Sequence, residues 1–454
     1  MLLLSLRAAQ AQSPPQPTRL TLPQALAAAE ANYPKIRASI EQKTAAQAAV
    51  GVARTAYLPK ADMLWQTNRA TANNVYGLLL PQAVIPSISG PVIAADNGRS
   101  AWGSAAGVLL SWQPFDFGAR RAEVDAARQG AAASDAVMNL TKLDVALATA
   151  SAYLDLATAE QLATVSAANA ERLEVFAKSL HVLVDNQLRA GADAAQADAG
   201  LAAARTQLIQ ARTTVAVRRA TLANLVGTPG AQVEIDAASL LASPPQDAQV
   251  AGATTSHPAA LQESALVKQQ EARVNLLKRS YVPQFNTQTA LSGRGTGTAL
   301  NGVFPGGTNG LAPNTMNWAI GAQVTFPAFS ILSIREQKKA QEANLRAEQA
   351  RYRQTVDDLS TQVLQAQAIL AGAREAAQNT PVQLSAARES ETQQRARFQA
   401  GLATVVDVAV AESLLAQSEA DDAVARLNVW RAFAGVAAAR GDITLLTSAF
   451  GGQP

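Results

Sequence analysis

Two kinds of hydrophobic pattern divide the chain. Long alanine-rich stretches place apolar residues at helical spacing, whereas four short stretches alternate between apolar and polar residues. Strict alternation is typical of a strand with two different faces. In the first short stretch, one face consists of Ala61, Met63, Trp65 and Thr67. The pattern predicts strands at about 60–71, 102–114, 283–292 and 316–327.

The long helical stretches carry heptads. Leucines and alanines follow a 3-4 spacing in the first half of the chain, and the same spacing returns 216 positions later. The two series are Leu140, Leu143, Leu147, Ala150, Leu154, Ala157 and Val356, Leu359, Val363, Ala366, Leu370, Ala373. Heptads require a partner helix, and alanines in the seam allow close approach of the backbones. A helix from about 120 to 188 would be roughly 100 Å long.

The chain is an internal duplication. Pro34 and Pro59 bracket a helical block, and Pro258 and Pro283 bracket a similar block 224 positions later. Each block ends at Tyr-x-Pro, where proline stops the helix. We therefore expect a first repeat at 18–226, a linker at 227–256, a second repeat at 257–441 and a tail at 442–454.

Each half also contains a glycine between two helical stretches. Gly191 lies in "QLRAGADAAQ" and Gly401 in "RFQAGLATVV", 210 positions apart. A glycine just past a helix end is typical of a tight helical hairpin. The sequence predicts that both glycines have this role, and that Pro381 kinks the second long helix.

The composition of the chain argues against several classes of function. The 454 residues include no cysteine, only 5% aromatics and two separated histidines, His181 and His257. No Cys/His metal site, phosphate-binding loop or nucleophile motif is present, so we expect neither an enzyme nor a cofactor. The net charge is +3 with scattered basic residues, which gives no indication of nucleic-acid binding.

The N-terminal residues and the hydropathy bear on location. Residues 1–17 resemble the end of a secretory signal, with Ala9-Gln10-Ala11 as a cleavage site. The sequence contains no run of 18 apolar residues, which argues against a transmembrane helix. If the chain crosses a membrane, it crosses by strands.

Aromatic residues favour a membrane location for the strands. Four of the five tryptophans lie in or beside them, and the expected lipid-facing or girdle residues are Trp65, Trp102, Trp112, Trp318 and Phe326. Four strands cannot close a barrel, so several chains would have to pool them. The alternative is a periplasmic or surface coiled-coil scaffold, or docking protein, without a pore.

The order of these motifs resembles the TolC-like outer membrane efflux protein family of Gram-negative bacteria. The residues that carry the resemblance are "LTLPQALAAAEANYPKIRAS", the Tyr-x-Pro exits, "PFDFG" and the two glycine hairpins, over about 18–441. The resemblance implies a mainly α fold with a β membrane portion. Duplicated long-helix hairpins would form an α-barrel in a homotrimer, and four strands per protomer would build a 12-stranded outer-membrane β-barrel.

The resemblance also implies a function and partners. Such a protein would be the passive exit duct of a tripartite efflux or type I secretion system, with a long periplasmic extension. Its partners would be a periplasmic adaptor (membrane fusion protein), an inner-membrane pump and outer-membrane lipid, and the linker and tail would form an equatorial belt.

Three site residues are carried over from the family. Gly191 and Gly401 would lie at the hairpin tips that meet the adaptor, and Asp407 would form a pore constriction. The chain departs from the family pattern at Val410, at Ala197 and at Ala403, where two acidic residues and an arginine are expected. Any gating lock must therefore differ in detail.

Overall fold

The fold was obtained as a computed structural model, which describes residues 18–71, 100–236, 240–241, 254–297, 306–326, 328 and 330–451. The signal segment expected at 1–17 lies outside the described residues. The helices are α1 (Leu22–Asn32), α2 (Pro34–Thr55), α3 (Ala119–Asp185), α4 (Gly191–Leu225), α5 (Pro258–Arg279), α6 (Ser330–Gln399), α7 (Val405–Arg440) and α8 (Thr444–Gly451). The strands are β1 (Thr18–Leu20), β2 (Lys60–Thr71), β3 (Ser100–Phe115), β4 (Val233–Ile235), β5 (Gln284–Thr296) and β6 (Thr315–Thr325).

The chain divides into two compact units. The first comprises residues 1–43, 134–264 and 350–454, and the second comprises 44–133 and 265–349. Each unit takes segments from both halves of the sequence.

The second unit contains a four-stranded antiparallel sheet in the order β2-β3-β5-β6. Val108 of β3 lies between Met63 of β2 and Leu291 of β5, and Leu291 in turn pairs with Trp318 of β6. Within the described residues, β2 and β6 each pair with one strand only, so the sheet has two open edges.

Strand β5 is longer than the alternation predicts. Its last residues, "SGRGT", lack apolar alternation, yet Arg294 pairs with Ala105 and Thr296 with Gly103. Glycine allows this close approach, because a Cβ at Gly295 would lie 2.6 Å from the Ser104 hydroxyl of β3 and 2.1 Å from the Ala312 carbonyl oxygen. The hydrophobic pattern ends at about residue 292, but the backbone ladder continues.

The first unit has its largest apolar core around the two-stranded parallel sheet of β1 and β4. Tyr153 of α3 is fully buried there, and its hydroxyl lies 3.0 Å from the Leu20 carbonyl and 2.9 Å from the Asp236 carbonyl. Trp430 of α7 donates from Nε1 to the Leu240 carbonyl at 2.8 Å. Two large aromatic residues therefore fix α3 and α7 to the segments beside the sheet.

The long helices follow the predicted heptads unequally. In α3 the seam residues Ala150, Leu154 and Ala157 are fully buried. In α6 the corresponding seam buries Leu359 and Ala366, while the other positions are half-buried. Helix α6 runs without interruption through Pro381, and Thr380 beside it donates to Asp422 of α7 at 3.0 Å.

The described residues offer neither a membrane-spanning helix nor a metal-binding cluster. None of the helices there has a stretch long and apolar enough to span a bilayer. The same residues hold no cluster of three or more His, Cys, Asp or Glu side chains placed to bind a metal ion.

Candidate functional site

One face of the four-stranded sheet is apolar across all four strands. The register places the odd-numbered residues of β2 beside the even-numbered residues of β3, and these beside the odd-numbered residues of β5 and the even-numbered residues of β6. We call this surface the apolar face. Its large members are Met63, Trp65, Trp102, Val108, Leu110, Trp112, Phe285, Leu291, Met316, Trp318, Ile320 and Val324.

The apolar face is exposed. Trp65 is 70% exposed and Trp318 is 79% exposed. Polar residues lie on the opposite face, among them Gln66, Gln288 and Asn317, together with a small buried cluster around Leu109. In a soluble sheet the exposed face is usually the polar one. An exposed face of large apolar residues, with polar residues on the opposite face, is typical of strands in lipid.

Two tryptophans lie near opposite ends of β3. Trp112 donates from Nε1 to the Tyr57 carbonyl at 3.2 Å, close to the end of α2. Trp102 lies at the other end of the strand, where the Arg69 guanidinium is 5.6 Å from the centre of its ring. Ten residues separate the two tryptophans, which corresponds to about 33 Å along a strand.

The sheet residues near α3 and α6 are also aromatic. A bulge between Trp112 and Phe115 keeps Phe115 on the apolar face, where its ring meets Phe285 edge-on at 6.0 Å. Phe326 follows β6 directly and is 69% exposed. The apolar face therefore carries aromatic side chains at its end near α3 and α6, in addition to the tryptophans further along the strands.

The first unit contains the two helical hairpins. The second hairpin ends α6 with a Schellman motif, in which the Leu402 N–H donates to the Arg397 carbonyl at 2.8 Å and the Gly401 N–H to the Phe398 carbonyl at 3.0 Å. Gly401 has φ of 76°, which favours glycine. It occupies the helix-ending position predicted from the sequence.

The first hairpin differs from the prediction. The equivalent bonds run from Leu188 to Leu183 and from Gln187 to Val184, both at 2.8 Å, and Gln187 has φ of 61°. Gln187, rather than Gly191, is therefore the left-handed residue, and Gly191 is the first residue of α4. The prediction that Gly191 ends the first long helix is wrong, because it assumed glycine, the usual residue at a left-handed helix end.

This geometry corrects the alignment of the two hairpins. Gln187 matches Gly401 at an offset of 214, not the 210 predicted from the glycines. The segments "QLRAGAD" and "GLATVVD" then correspond residue by residue. Asp193 becomes the counterpart of Asp407, and Arg189 the counterpart of Ala403.

Asp407 forms part of a helix cap. Thr404 precedes α7, and its backbone N–H and its hydroxyl both donate to the Asp407 carboxylate at 2.7 Å. The Asp407 N–H donates back to the Thr404 hydroxyl at 3.3 Å, which completes a capping box. The hydrogen bonds from Thr404 hold the pKa of Asp407 below its ordinary value of 3.8. The carboxylate is exposed and ionised at neutral pH.

With this alignment Asp193 is the acid that corresponds to Asp407, so Ala197 no longer marks a departure from the family pattern. Ala197 is buried in an apolar cluster with Phe176 and Phe398, whose rings meet edge-on at 5.5 Å. An acid at this position would be desolvated. An arginine is absent at Ala403, but Arg189 of the other hairpin lies 4.7 Å from the centre of the Phe398 ring.

A buried ion cluster was not predicted from the sequence. The Glu412 side chain of α7 is only 1% exposed and is 3.1 Å from Arg172 of α3. Arg395 of α6 also bonds the same carboxylate, and Arg172 reaches Glu419 at 3.0 Å. Burial raises the pKa of Glu412, whereas the two arginines oppose this shift. The cluster joins α3 to the distant hairpin of α6 and α7, so only the fold reveals it.

The two histidines have ordinary structural partners. His181 Nε2 lies 3.0 Å from the Asp198 carboxylate on an exposed surface. His257 precedes α5; its Nδ1 accepts from the Ala259 N–H and its Nε2 donates to the Ala438 carbonyl, both at 3.0 Å. Each histidine thus has a hydrogen-bond partner in the protein.

Comparisons with known proteins were made on the sequence and on the fold. The family model for outer membrane efflux proteins matches residues 25–228 and 253–442. A search of curated protein sequences gives no match.

Several solved outer-membrane channels share the fold. The Campylobacter jejuni CmeC channel is 17% identical with a TM-score of 0.75, over 92% of this chain and 85% of that chain. The Vibrio cholerae protein VceC is 18% identical with a TM-score of 0.72, over 93% and 96%. The open state of the Neisseria gonorrhoeae MtrE channel is 18% identical with a TM-score of 0.72, over 93% and 89%. These likenesses establish the fold, and the sequence match covers most of the chain. The chain therefore belongs to the outer membrane efflux protein family.

Proposed function

We propose that the protein is a trimeric outer-membrane channel that serves as the passive exit duct of a tripartite efflux or type I secretion system. The observation that carries the proposal is the apolar face, which continues over four strands and is exposed. Membership of the outer membrane efflux protein family supports the same function. The family comprises transport proteins rather than enzymes.

The open sheet edges support assembly from several copies. Within the described residues β2 and β6 each lack a second neighbour, and unpaired backbone groups are not tolerated in lipid. Three copies supply 12 strands, an even number within the range of outer-membrane barrels. The long helices of the three copies would form the α-barrel.

We further propose the domain organisation expected from the duplication. The repeats are 18–226 and 257–441, and the belt consists of 227–256 with the tail 442–454. The parallel pairing of β1 with β4 and the burial of Leu446 of α8 in the same core support this assignment.

We propose that Trp65, Trp102, Trp112, Trp318 and Phe326 face lipid or its interface. All except Trp102, which is half-buried, are exposed, and exposed aromatic side chains of this kind are favourable at a bilayer surface. The Arg69 and Trp102 pair is the combination expected where hydrocarbon gives way to headgroups.

We propose that Asp407 lines a constriction. Its exposed, ionised carboxylate is held on the first turn of α7 by Thr404, and three copies around an axis would favour cations. A helix cap alone would also account for an aspartate at this position. Measurements of conductance distinguish a role in the pore from a purely structural role.

We propose that the hairpin turns dock the periplasmic adaptor, which connects the duct to an inner-membrane pump that supplies energy and substrate. No heavy atom lies within 4 Å of a Cβ placed at Gly191 or Gly401, so both positions leave open space. Each turn also exposes a leucine, Leu188 at 69% and Leu402 at 70%. An exposed leucine beside an open glycine suits the apolar tip of a partner hairpin.

Membrane fractionation followed by sizing in mild detergent tests the proposed location and assembly. The expected result is a trimer recovered with outer-membrane markers. A monomeric protein in the soluble fraction would contradict the barrel and favour a coiled-coil scaffold without a pore.

A further inference from the structure

A cleft in the second unit is strongly basic. It lies between the start of α3 and the end of α5 and has a volume of about 750 Å³. Its charged lining residues are Arg121, Arg128, Lys278 and Arg279, with Asp125 as the single acid and Asn275 as a polar neighbour. We call it the basic cleft.

The four cations form no salt bridge in the part of the chain that the structure describes. Lys278 bonds the Asn275 side chain at 3.2 Å, and Arg279 bonds the Phe117 carbonyl at 3.5 Å. The start of α6, in the same unit, is different. There Lys339 is 2.6 Å from Glu336, and Lys338 is 3.4 Å from Glu342. The basic cleft therefore gathers four cations that form no ion pair in the described residues, whereas these two lysines are paired.

Helix dipoles do not explain all of this charge. Lys278 and Arg279 lie in the last turn of α5, where cations are favourable. Arg121 lies in the first turn of α3, where a cation is unfavourable, and the carboxylate that caps this turn, Asp116, pairs with Arg120 instead. A bound anion would be favoured by the four side chains of the basic cleft.

The neighbouring surface is apolar. Phe115 ends β3 on the apolar face and is 67% exposed, and Phe117 is 61% exposed. Only a few residues separate these rings from Arg121. A site where an aromatic surface gives way to unpaired arginines and lysines suits a ligand with an apolar part and an anionic oxygen group.

From these observations we infer that the basic cleft binds a phosphate group. Arginine provides forked N–H donors that match phosphate oxygens, and lysine adds a compact charge. The phosphate can belong to a phospholipid headgroup or to a soluble phosphate. The lipid source rests on the proposed membrane insertion, whereas binding of soluble phosphate does not.

The test uses the full-length protein and the double variant Arg121→Gln/Arg279→Gln. The protein is extracted in mild detergent from vesicles of equimolar phosphatidylglycerol and phosphatidylcholine, and the retained lipid is counted by native mass spectrometry. The wild type is expected to retain phosphatidylglycerol in several-fold excess, and the double variant is expected to show a ratio near one. Lys338→Gln/Lys339→Gln, which removes two paired cations, is the matched control and keeps the excess.

Inorganic phosphate, added to the lipid-free protein in detergent, separates the sources. A higher melting temperature in the wild type but not in the double variant, without lipid preference, would assign the cleft to a soluble phosphate. If neither the lipid ratio nor the effect of phosphate differs between wild type and double variant, the inference is wrong. Sizing shows beforehand that the variants keep the wild-type assembly, and Arg128→Gln replaces any variant that does not.

Discussion

Gln187 and Gly401 occupy the same position in the two helical hairpins. Each is the left-handed residue that ends a long helix, with φ of 61° and 76°, and each is followed by an exposed leucine. The two turns share their hydrogen bonds although they do not share the glycine. The hairpins are therefore duplicated in backbone geometry more closely than in sequence.

Substitutions at the two turns test whether Gln187 and Gly401 are equivalent, through their effects on the stability of the folded protein. Gly401→Ala should destabilise the protein by about 1–2 kcal/mol, because a Cβ is unfavourable at positive φ. Gly191→Ala should be neutral or slightly stabilising, since Gly191 begins α4 and its Cβ would meet open space. Gln187→Gly should be stabilising by up to about 1 kcal/mol. Thermal unfolding in detergent gives the order, and equal effects of the two alanine variants would contradict the assignment.

Adaptor docking is best tested at Gly191. Because this residue needs no special backbone conformation, Gly191→Leu should leave the trimer intact while it reduces export at least tenfold by filling the space at the tip. Export of a substrate of the cognate pump is the measurement. Gly200→Leu, further along α4 and equally open, is the control. Normal export by Gly191→Leu would remove this position from the docking surface.

Asp407 is predicted to set cation preference. Asp407→Asn should lower the ratio of cation to anion permeability, and the amide can still accept the Thr404 N–H bond, so α7 stays capped. Asp193→Asn, at the matching position of α4, tests whether any hairpin carboxylate has the same effect. Reversal potentials in planar bilayers measure both variants. An unchanged ratio in Asp407→Asn would exclude it from the constriction.

The pH dependence follows from the same cap. Because the pKa of Asp407 in the folded protein is below its ordinary value of 3.8, the carboxylate is fully ionised at any pH well above 3.8. The cap therefore stabilises the folded protein above pH 3.8, and this stabilisation is lost as the pH falls through the lower pKa of the folded state. Cation preference should therefore be constant from about pH 5 to pH 8. A loss of preference within that range would indicate a different titrating group.

The buried ion cluster is predicted to join the hairpins. Glu412→Gln leaves Arg172 and Arg395 without their shared carboxylate. The free energy of unfolding should fall by up to about 3 kcal/mol, the lower end of the range for a broken buried ion pair, because both guanidinium groups are partly exposed. Glu419→Gln removes one more exposed contact and should cost about 1 kcal/mol or less. Unfolding in denaturant compares the two. Equal costs would mean that Glu412 has no special role.

Two adjacent residues test the direction of the sheet faces. Trp318 lies on the apolar face and Asn317 on the opposite face. Trp318→Arg should reduce the folded protein in the outer membrane, with a cost of about 2–4 kcal/mol near the bilayer midplane. Asn317→Arg should be tolerated. Quantitative blotting of heat-resistant trimers measures both, and equal tolerance would contradict the lipid-facing assignment.

Much of the fold can be predicted from the sequence because its signals are local. Alternation around Trp65 and Trp318 predicts strands, and Tyr-x-Pro predicts the helix ends before them. The extension of β5 could not be predicted, since its glycines pair through the backbone alone. The hairpin alignment was wrong because Gln187 adopts a conformation that a sequence assigns to glycine.

Some of the candidate sites can likewise be predicted from local sequence patterns, and others only from the fold. The apolar face follows from alternation, which any strand reveals. Glu412, Arg172 and Arg395 are scattered over 240 positions, and no local pattern joins them. The basic cleft likewise combines residues from α3 and α5 that only the fold brings together.

Single-channel recording in planar bilayers tests the central claim most directly. The purified wild-type protein, reconstituted without adaptor or pump, should insert as a trimer and produce uniform conductance steps with a preference for cations. A protein that is a soluble monomer, or that enters the bilayer without conducting ions, would contradict the account of an outer-membrane duct.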